Sequence, residues 1–474
     1  MAKIDEIYSK KTVMPEKVLM FGEGNFLRAF IGRIVKNCND VCAYNGSIVC
    51  LQGTEQGMCN AINAQNGLYT LVERGSADGR PIVSETVIDC LSRCIDPFED
   101  YDAFLQTAHN PDLRVIVSNT TEFGICYDEN EPMTRPHKNF PAKLTDWLYE
   151  RYLTFGKDGG VLVLPCELID DNAKQLIGHV LRYAKEWGLG DLFLSWLRED
   201  CRFCSTLVDR VVSGYPAAEA PAMEEKFGYR DALIDVCEPF LLWVIDSAEP
   251  IDTYLPVSRC GLDIVVTTDF ASYRTRKVRI LNGAHTSSVP AGYLCGFETV
   301  DQLIGDPVFF SFIDREMKEE IIPSFDGEAL QEYAEEVFER FRNPFIHHRL
   351  SSIVLNSVSK FRARVLVSIE DCVKRGVCPH RLFFSLAALI VFYEREMQGA
   401  VRDEEIYTSR LRGYFAEGKS EGRREMLRRI LSDTTLWGKD LTKIDGLYEH
   451  VIHADASIAE SGMYRAVERA AKGK

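Results

Sequence analysis

Nothing in this chain marks it for a membrane or for nucleic acid. No apolar run reaches the roughly 18 residues needed to span a bilayer, and the opening Met1-Ala-Lys-Ile-Asp-Glu lacks the apolar core of a secretory signal. Positive charge is scarce: 55 Lys and Arg face 71 Asp and Glu, a formal charge of −16. A surface that acidic argues against a nucleic-acid or anionic-membrane partner. It leaves room for a small anion held in a local basic pocket. Metal-ligand spacing is also sparse. Cys201-x-x-Cys204 is the one close pair of its kind, with no second pair and no neighbouring His. The adjacent His347 and His348 lack the spacing of a zinc-binding helix and read as ordinary polar residues. No metal is expected. Without a secretory signal, the 15 Cys read as reduced thiols of a cytoplasmic protein. Internal repeats and low-complexity stretches are missing as well.

What is present is ordinary globular material, 46% hydrophobic and 27% charged. A chain of 474 residues is too long for one core, which favours two domains. Strand-like and helical runs alternate through about residue 275, and the pattern beyond is helical. The expected class is therefore α/β: a Rossmann-like dinucleotide-binding N-terminal domain over 1–275, then a mainly α-helical C-terminal domain over 276–474 that binds substrate and carries the catalytic groups.

The N-terminal expectation starts at Lys17-Val-Leu-Met-Phe21, a short apolar run ending in Gly22-Glu-Gly24 and followed by a helical pattern to about Asn37. Strand, Gly-x-Gly, helix opens a dinucleotide-binding unit, because the glycines let backbone N–H groups approach a pyrophosphate at the helix N-terminus. The third glycine of the usual fingerprint is absent, with Leu27 in its place. Ser47–Leu51 reads as the second strand. Beyond it, Glu55 suits the ribose hydroxyls of NAD, or is a solvated loop carboxylate. Residues 45–60 hold no Lys or Arg to balance a 2′-phosphate, which favours NAD over NADP. Turns are expected at Gly75 and Gly79–Pro81, a helix from Asp96-Pro97 to about Ala108, a buried strand over Leu113–Val117, a helix over Phe140–Phe155 and a strand over Gly160–Leu164. Asn172 begins an amphipathic helix. Residues 215–230 read as a loop excursion, and Arg410 to Leu431 as one charged amphipathic helix.

The stretch with most chemistry is Lys277-Val-Arg-Ile-Leu-Asn282-Gly-Ala-His285. On an α-helix, Asn282 and His285 share a face, while Lys277 lies roughly 80° from His285 and about 140° from Asn282. A Lys in a partly apolar setting loses hydration, which lowers its pKa and suits it to act as a base. Arg276 and Arg279 push the same way if they lie close. An Asn amide can donate to an oxygen gaining negative charge, and a His can hold a hydroxyl. The set suits alcohol oxidation by hydride transfer. The same spacing also suits a core helix whose three polar residues find partners.

Lys277-x4-Asn282-x2-His285 resembles the signature of the polyol-specific long-chain dehydrogenases, the mannitol dehydrogenase family. Gly22-x-Gly24-Asn25-Phe26-x-Arg28-Ala resembles the N-terminus of that family, closest to its sugar-acid branch. The resemblance implies Lys277 as catalytic base, with Asn282 and His285 at the reacting oxygen. It implies cofactor contacts from Gly22, Gly24, Asn25, Phe26 and Arg28, and from Thr121 and Glu122 near the nicotinamide. Asn172 matches a family Asn that helps to hold the alkoxide, although Leu168 replaces a companion Asn; a helix cap is the alternative. Asp209, in Asp209-Arg210, matches a site-flanking Asp, or pairs with Arg210 only to tie two elements together. Lys360, Arg362 and Arg364 fall where the family binds substrate, and a basic cluster there suits a carboxylate; otherwise they form a solvated helix face. The implied protein is an NAD-dependent dehydrogenase of a sugar acid or polyol, a monomer or small homo-oligomer. A binding protein that senses nucleotide and has lost catalysis is the non-enzymatic alternative.

Overall fold

A computed structural model describes residues 1–77, 80–120, 124–345 and 348–473. The chain divides into two compact units, Met1–Gly75 with Pro81–Phe270, and Ala271–Lys474 with Ser76–Arg80.

The first unit is built on six strands: β1 Glu16–Phe21, β2 Ser47–Leu51, β3 Leu91–Ile95, β4 Val115–Ser118, β5 Leu162–Pro165 and β6 Arg202–Phe203. They lie in the order β3-β2-β1-β4-β5-β6, all parallel. Their near-continuous apolar sequences follow from burial on both faces. Side chains alternate along each strand, so Val18 and Met20 of β1 enter one core layer while Leu19 and Phe21 enter the other. The order reverses between β1 and β4, and in such sheets ligands bind beyond the strand ends at that point. Register places Phe21 beside Leu51 on one side and Ser118 on the other, so the glycine turn begins at this reversal. Smaller sheets complete the unit: Thr206–Asp209, Leu242–Asp246 and Asp263–Thr267 form one, and a four-stranded sheet contains Tyr69–Ala77 and Arg80–Ile88.

Several elements differ from the sequence expectation. Gly75 lies inside a strand and makes no turn. The helix after Asp96-Pro97 starts later, at Tyr101, because Asp100 caps it by accepting from the Ala103 N–H at 2.9 Å. Residues 215–230 are not all loop: Ala220–Phe227 is a helix, with Pro221 in its tolerant first turn.

The second unit is helical. His380–Glu396 runs through its centre, apolar on every side from Leu382 to Tyr393 apart from Ser385, as a helix surrounded by others must be. It packs against Gly283–Leu294 and Leu447–Ser461. The expected single helix to Leu431 is two, Glu405–Glu421 and Arg423–Ser432, broken at Gly422, whose φ of 94° ends a helix readily. Among the described residues, no helix is long and apolar enough to cross a membrane.

Candidate active site

In the first unit, Gly22 follows β1 with φ 109°, and its N–H donates to Leu51 O at 2.9 Å. A Cβ on Gly22 would lie 3.1 Å from Asn119 O, so both conformation and space require glycine. A Cβ on Gly24 would meet nothing within 4 Å, so the backbone is open where the helix begins. That helix runs through Asn25–Leu27, a π-helical Arg28–Gly32 and Arg33–Cys42.

The residues around the turn face different ways. Phe26 is half-buried and stacks on Phe30 at 5.2 Å. Arg28 is fully buried, donating to Leu233 O at 2.9 Å and to Asn25 Oδ1 at 2.5 Å, with Asp235 at 3.8 Å. Its guanidinium braces the turn from inside and presents no donor at the surface. Glu55 is exposed. The carboxylate at the end of β2 is instead Glu23, which accepts from the N–H groups of Gly53 at 2.9 Å and Met58 at 3.2 Å. Glu23 stands between the two glycines, yet no periodicity or spacing marks it. Thr121 and Glu122 lie outside the described residues. Next to them, Ser118 Oγ, Thr120 N–H and Thr120 Oγ1 donate to Glu167, whose carboxyl is pushed upward chiefly by burial.

Asn172 is buried at the start of Asn172–Glu186. Its Nδ2 donates to the carbonyls of Pro165, Glu167 and Thr206 at 3.0–3.1 Å, and its Oδ1 accepts from the N–H groups of Thr206 and Ala173. The amide ties β5 to the strand at Thr206 and keeps no N–H for a ligand. The residue preceding the helix is Asp171, in the left-handed region at φ 50°. Asp209 is buried at the end of Thr206–Asp209 and is engaged. Arg210 bonds to Glu73 and to the carbonyls of Ala29 and Glu238.

In the second unit, the signature stretch is one helix in three parts: Phe270–Arg276, a π-helical Lys277–Asn282, and Gly283–Leu294. A π turn bonds residue i to i+5, so residues five apart are about one turn apart. Lys277 and Asn282 therefore come onto a shared face, and the separation of about 140° expected for an α-helix closes. Lys277 is 7% exposed. Asn282 is half-buried, and among the described residues its amide has no hydrogen-bond partner. Arg276 lies over the rings of Tyr273 and Tyr333, and Arg279 pairs with Asp371 at 2.7 Å.

His285 stacks flat on Phe341, with ring centres 4.2 Å apart, and meets the edge of His348 at 5.3 Å. Its Nε2 is buried and, among the described residues, has no hydrogen-bond partner. Burial, then the nearby His348, Arg364, Arg340 and Lys360, hold its pKa well below the usual value, so the ring is neutral. The basic cluster divides. Arg364 donates to Thr286 Oγ1 at 3.4 Å on the signature helix, and Lys360 donates to Ile353 O at 3.0 Å; both act on His285. Arg362 turns elsewhere, donating to Tyr407 Oη at 3.2 Å. Arg340 and Phe341 carried no sequence signal as site residues, and His348 read as an ordinary polar residue near a cleft at best, because only packing brings them to His285. Behind the helix, Ser287 and Ser385 donate to Glu316 at 2.6 and 3.0 Å, and burial pushes this carboxyl up to about 8.

Residues 16–257 match the Rossmann-domain model of mannitol dehydrogenases, and residues 269–459 match the mannitol dehydrogenase C-terminal domain model. The chain is 40% identical over 470 residues to the altronate oxidoreductase of Bacillus subtilis (strain 168), covering 98% of this chain and 97% of the relative. It is 39% identical over 465 residues to that of Escherichia coli O7:K1 (strain IAI39 / ExPEC), covering 96% of each. Among solved structures, substrate-free D-sorbitol dehydrogenase shares the fold with a TM-score of 0.82 at 21% identity, over 98% of this chain and 100% of that one. The Pseudomonas fluorescens mannitol 2-dehydrogenase ternary complex with NAD and D-mannitol aligns with a TM-score of 0.75 at 18% identity over 100% of both chains.

Proposed function

The chain belongs to the mannitol dehydrogenase family, and within it we propose that this oxidoreductase interconverts D-tagaturonate and D-altronate with NAD in the cytoplasm. The names of the full-length relatives support the substrate. The observation that carries the chemistry is the π turn, which brings Lys277 and Asn282 towards one face of the helix that also carries His285.

A dinucleotide fits the first unit. The turn needs glycine at Gly22, leaves Gly24 open, and borders a cavity of about 200 Å3 that also includes Gly53. Glu23 lies at Gly53, so a phosphate on the ribose 2′-oxygen meets a carboxylate, which supports NAD over NADP. When bound, the nicotinamide supplies the hydride acceptor in oxidation and the hydride donor in reduction.

The protein's residues do the rest. In the oxidative direction Lys277 takes the proton of the substrate hydroxyl as its carbon loses hydride; in reduction it returns the proton. Lys277 is 7% exposed, which shields the proton transfer from bulk water. Asn282 donates to the oxygen as negative charge develops, having no competing partner among the described residues. Neutral His285 places a neighbouring hydroxyl through Nε2, which has no other partner among the described residues. Arg364 and Lys360 lie on the His285 side and suit the carboxylate of a sugar acid. Asn172 holds the β5 loop, and its saturated amide leaves the alkoxide to Asn282.

The test pairs turnover with binding. Lys277→Ala should lower NADH-linked turnover of D-tagaturonate by about 10³-fold while NADH still binds. Turnover within about tenfold of the wild type at neutral pH refutes the assignment of the base. A panel of D-altronate, D-mannonate, D-mannitol and D-arabinitol, read by NADH absorbance, tests the substrate; a preference for either polyol overturns the sugar-acid reading.

A further inference from the structure

The cavity beside the glycine turn holds a charge that the proposed chemistry does not use. Lys143 stands in the first turn of Phe140–Phe155 and lines this cavity together with Gly22, Gly53 and Thr120. It is 4% exposed, and its ammonium sits 4.0 Å from the centre of the Phe98 ring. Among the described residues it makes no side-chain hydrogen bond and no ion pair. Burial pulls its pKa down to about 8, opposed by the charges of Glu131 and Asp96. A buried cation without a bonded anion is costly. The contrast with other buried cations is direct: Arg381 is locked to Glu320 at 3.0 Å and Arg210 to Glu73. Lys143 instead faces open space, and Lys138, exposed on the rim of the same cavity, adds charge of the same sign.

We propose that Lys143 supplies the positive charge that pairs with the pyrophosphate of the dinucleotide held at the glycine turn. The inference rests on the dinucleotide reading above and adds a side-chain contact to a site otherwise built from backbone N–H groups. A phosphate is the matching chemistry because the cavity is continuous with Gly22, where the helix opens toward an anion. The ribose 2′-position is the poorer source of that phosphate, since Glu23 occupies the Gly53 side. The Phe98 ring supports the ammonium from below and keeps it aimed at the cavity.

The experiment is titration calorimetry of the full chain and its Lys143→Met and Lys143→Arg variants with NADH, NADPH, ADP and adenosine. Met keeps the length of the side chain and removes its charge, and thermal melting checks that the variant folds. Lys143→Met should weaken NADH and ADP by about tenfold or more, the range of a charged hydrogen bond. Adenosine should bind both proteins alike, and Lys143→Arg should restore most of the affinity. Unchanged ADP binding in a folded Lys143→Met protein overturns the proposal. Equal weakening of ADP and adenosine also overturns it, in favour of a contact to the base. A larger loss for NADPH than for NADH reassigns the charge to the 2′-phosphate. Failure of the wild-type chain to bind NADH or ADP at all refutes the dinucleotide reading itself.

Discussion

Asn172 and Asn282 are the same residue in two different physical states. At the end of β5, the Asn172 amide is enclosed by five backbone contacts and joins two strands. On the π turn, the Asn282 amide is half-exposed and has no partner among the described residues. A buried amide with every donor satisfied stabilises a fold. An amide held on a rigid helix with its donors open can stabilise a charge that appears only during reaction. The same contrast separates Arg28, committed to interior acceptors, from Lys143, which faces a cavity. Residue type does not distinguish the two asparagines, and charge does not distinguish the two buried cations.

The sharpest way to break the comparison is at its centre. Lys277→Ala should lower kcat by about 10³-fold, within the range of general-base catalysis, with the Kd for NADH changed less than about twofold by that same logic of separable binding and chemistry. Steady-state assays beside fluorescence titration measure both. The two asparagines then divide by observable. Asn282→Ala should cost about 10²-fold in kcat with melting hardly altered. Asn172→Ala leaves buried backbone groups unsatisfied at roughly 2–3 kcal/mol, which lowers Tm by roughly 4–12 °C. If Asn172→Ala melts normally and loses only kcat, the bracing role is wrong.

The basic cluster gives a finer division. Arg364→Met should raise KM for D-altronate by about tenfold, the scale of one charge-assisted contact. Arg362→Met, on the Tyr407 side, should change KM by less than about twofold. Equal effects would erase the distinction between the two faces. The smallest effect is one of pH. Glu316 is held up at about 8, so the folded protein keeps a proton that the unfolded chain releases near the ordinary Glu value. That contribution to stability is complete below the ordinary value and is lost as pH rises through about 8. Glu316→Gln keeps both Ser contacts and cannot ionise. Between pH 6 and 9 its Tm should fall by less than that of the wild type, because the contribution of Glu316 is gone while those of other buried groups, among them Glu320 and Asp235, each raised to about 7 by burial, remain. Parallel Tm profiles would show that Glu316 is already charged.

Much of the scaffold can be read locally. Phe140–Phe155 has the bounds its periodicity predicts, as does Ser47–Leu51, because an uninterrupted apolar pattern and a clear cap fix such elements without help from distant residues. Gly22 was legible for a related reason: a positive φ against a neighbouring carbonyl admits no side chain. The π turn was not legible. Its extra residue per turn changes which side chains share a face while leaving the sequence pattern helical, and it is stabilised by packing rather than by propensity. Arg364 reaches Thr286 across 78 residues, and Lys143 looks in sequence like any lysine in a first helical turn.

The sequence by itself determined the parallel strands, the glycine turn, the helical second half and the spacing of Lys277, Asn282 and His285, since each depends on neighbours within a few residues. Tertiary structure alone decided which polar groups stay open. It saturated Asn172, left Asn282 without a partner among the described residues, turned Arg362 away from Arg364 and placed Lys143 against a cavity. Whether a donor is satisfied depends on what the fold brings within about 3 Å of it, and that is a property of contacts between segments far apart in the chain.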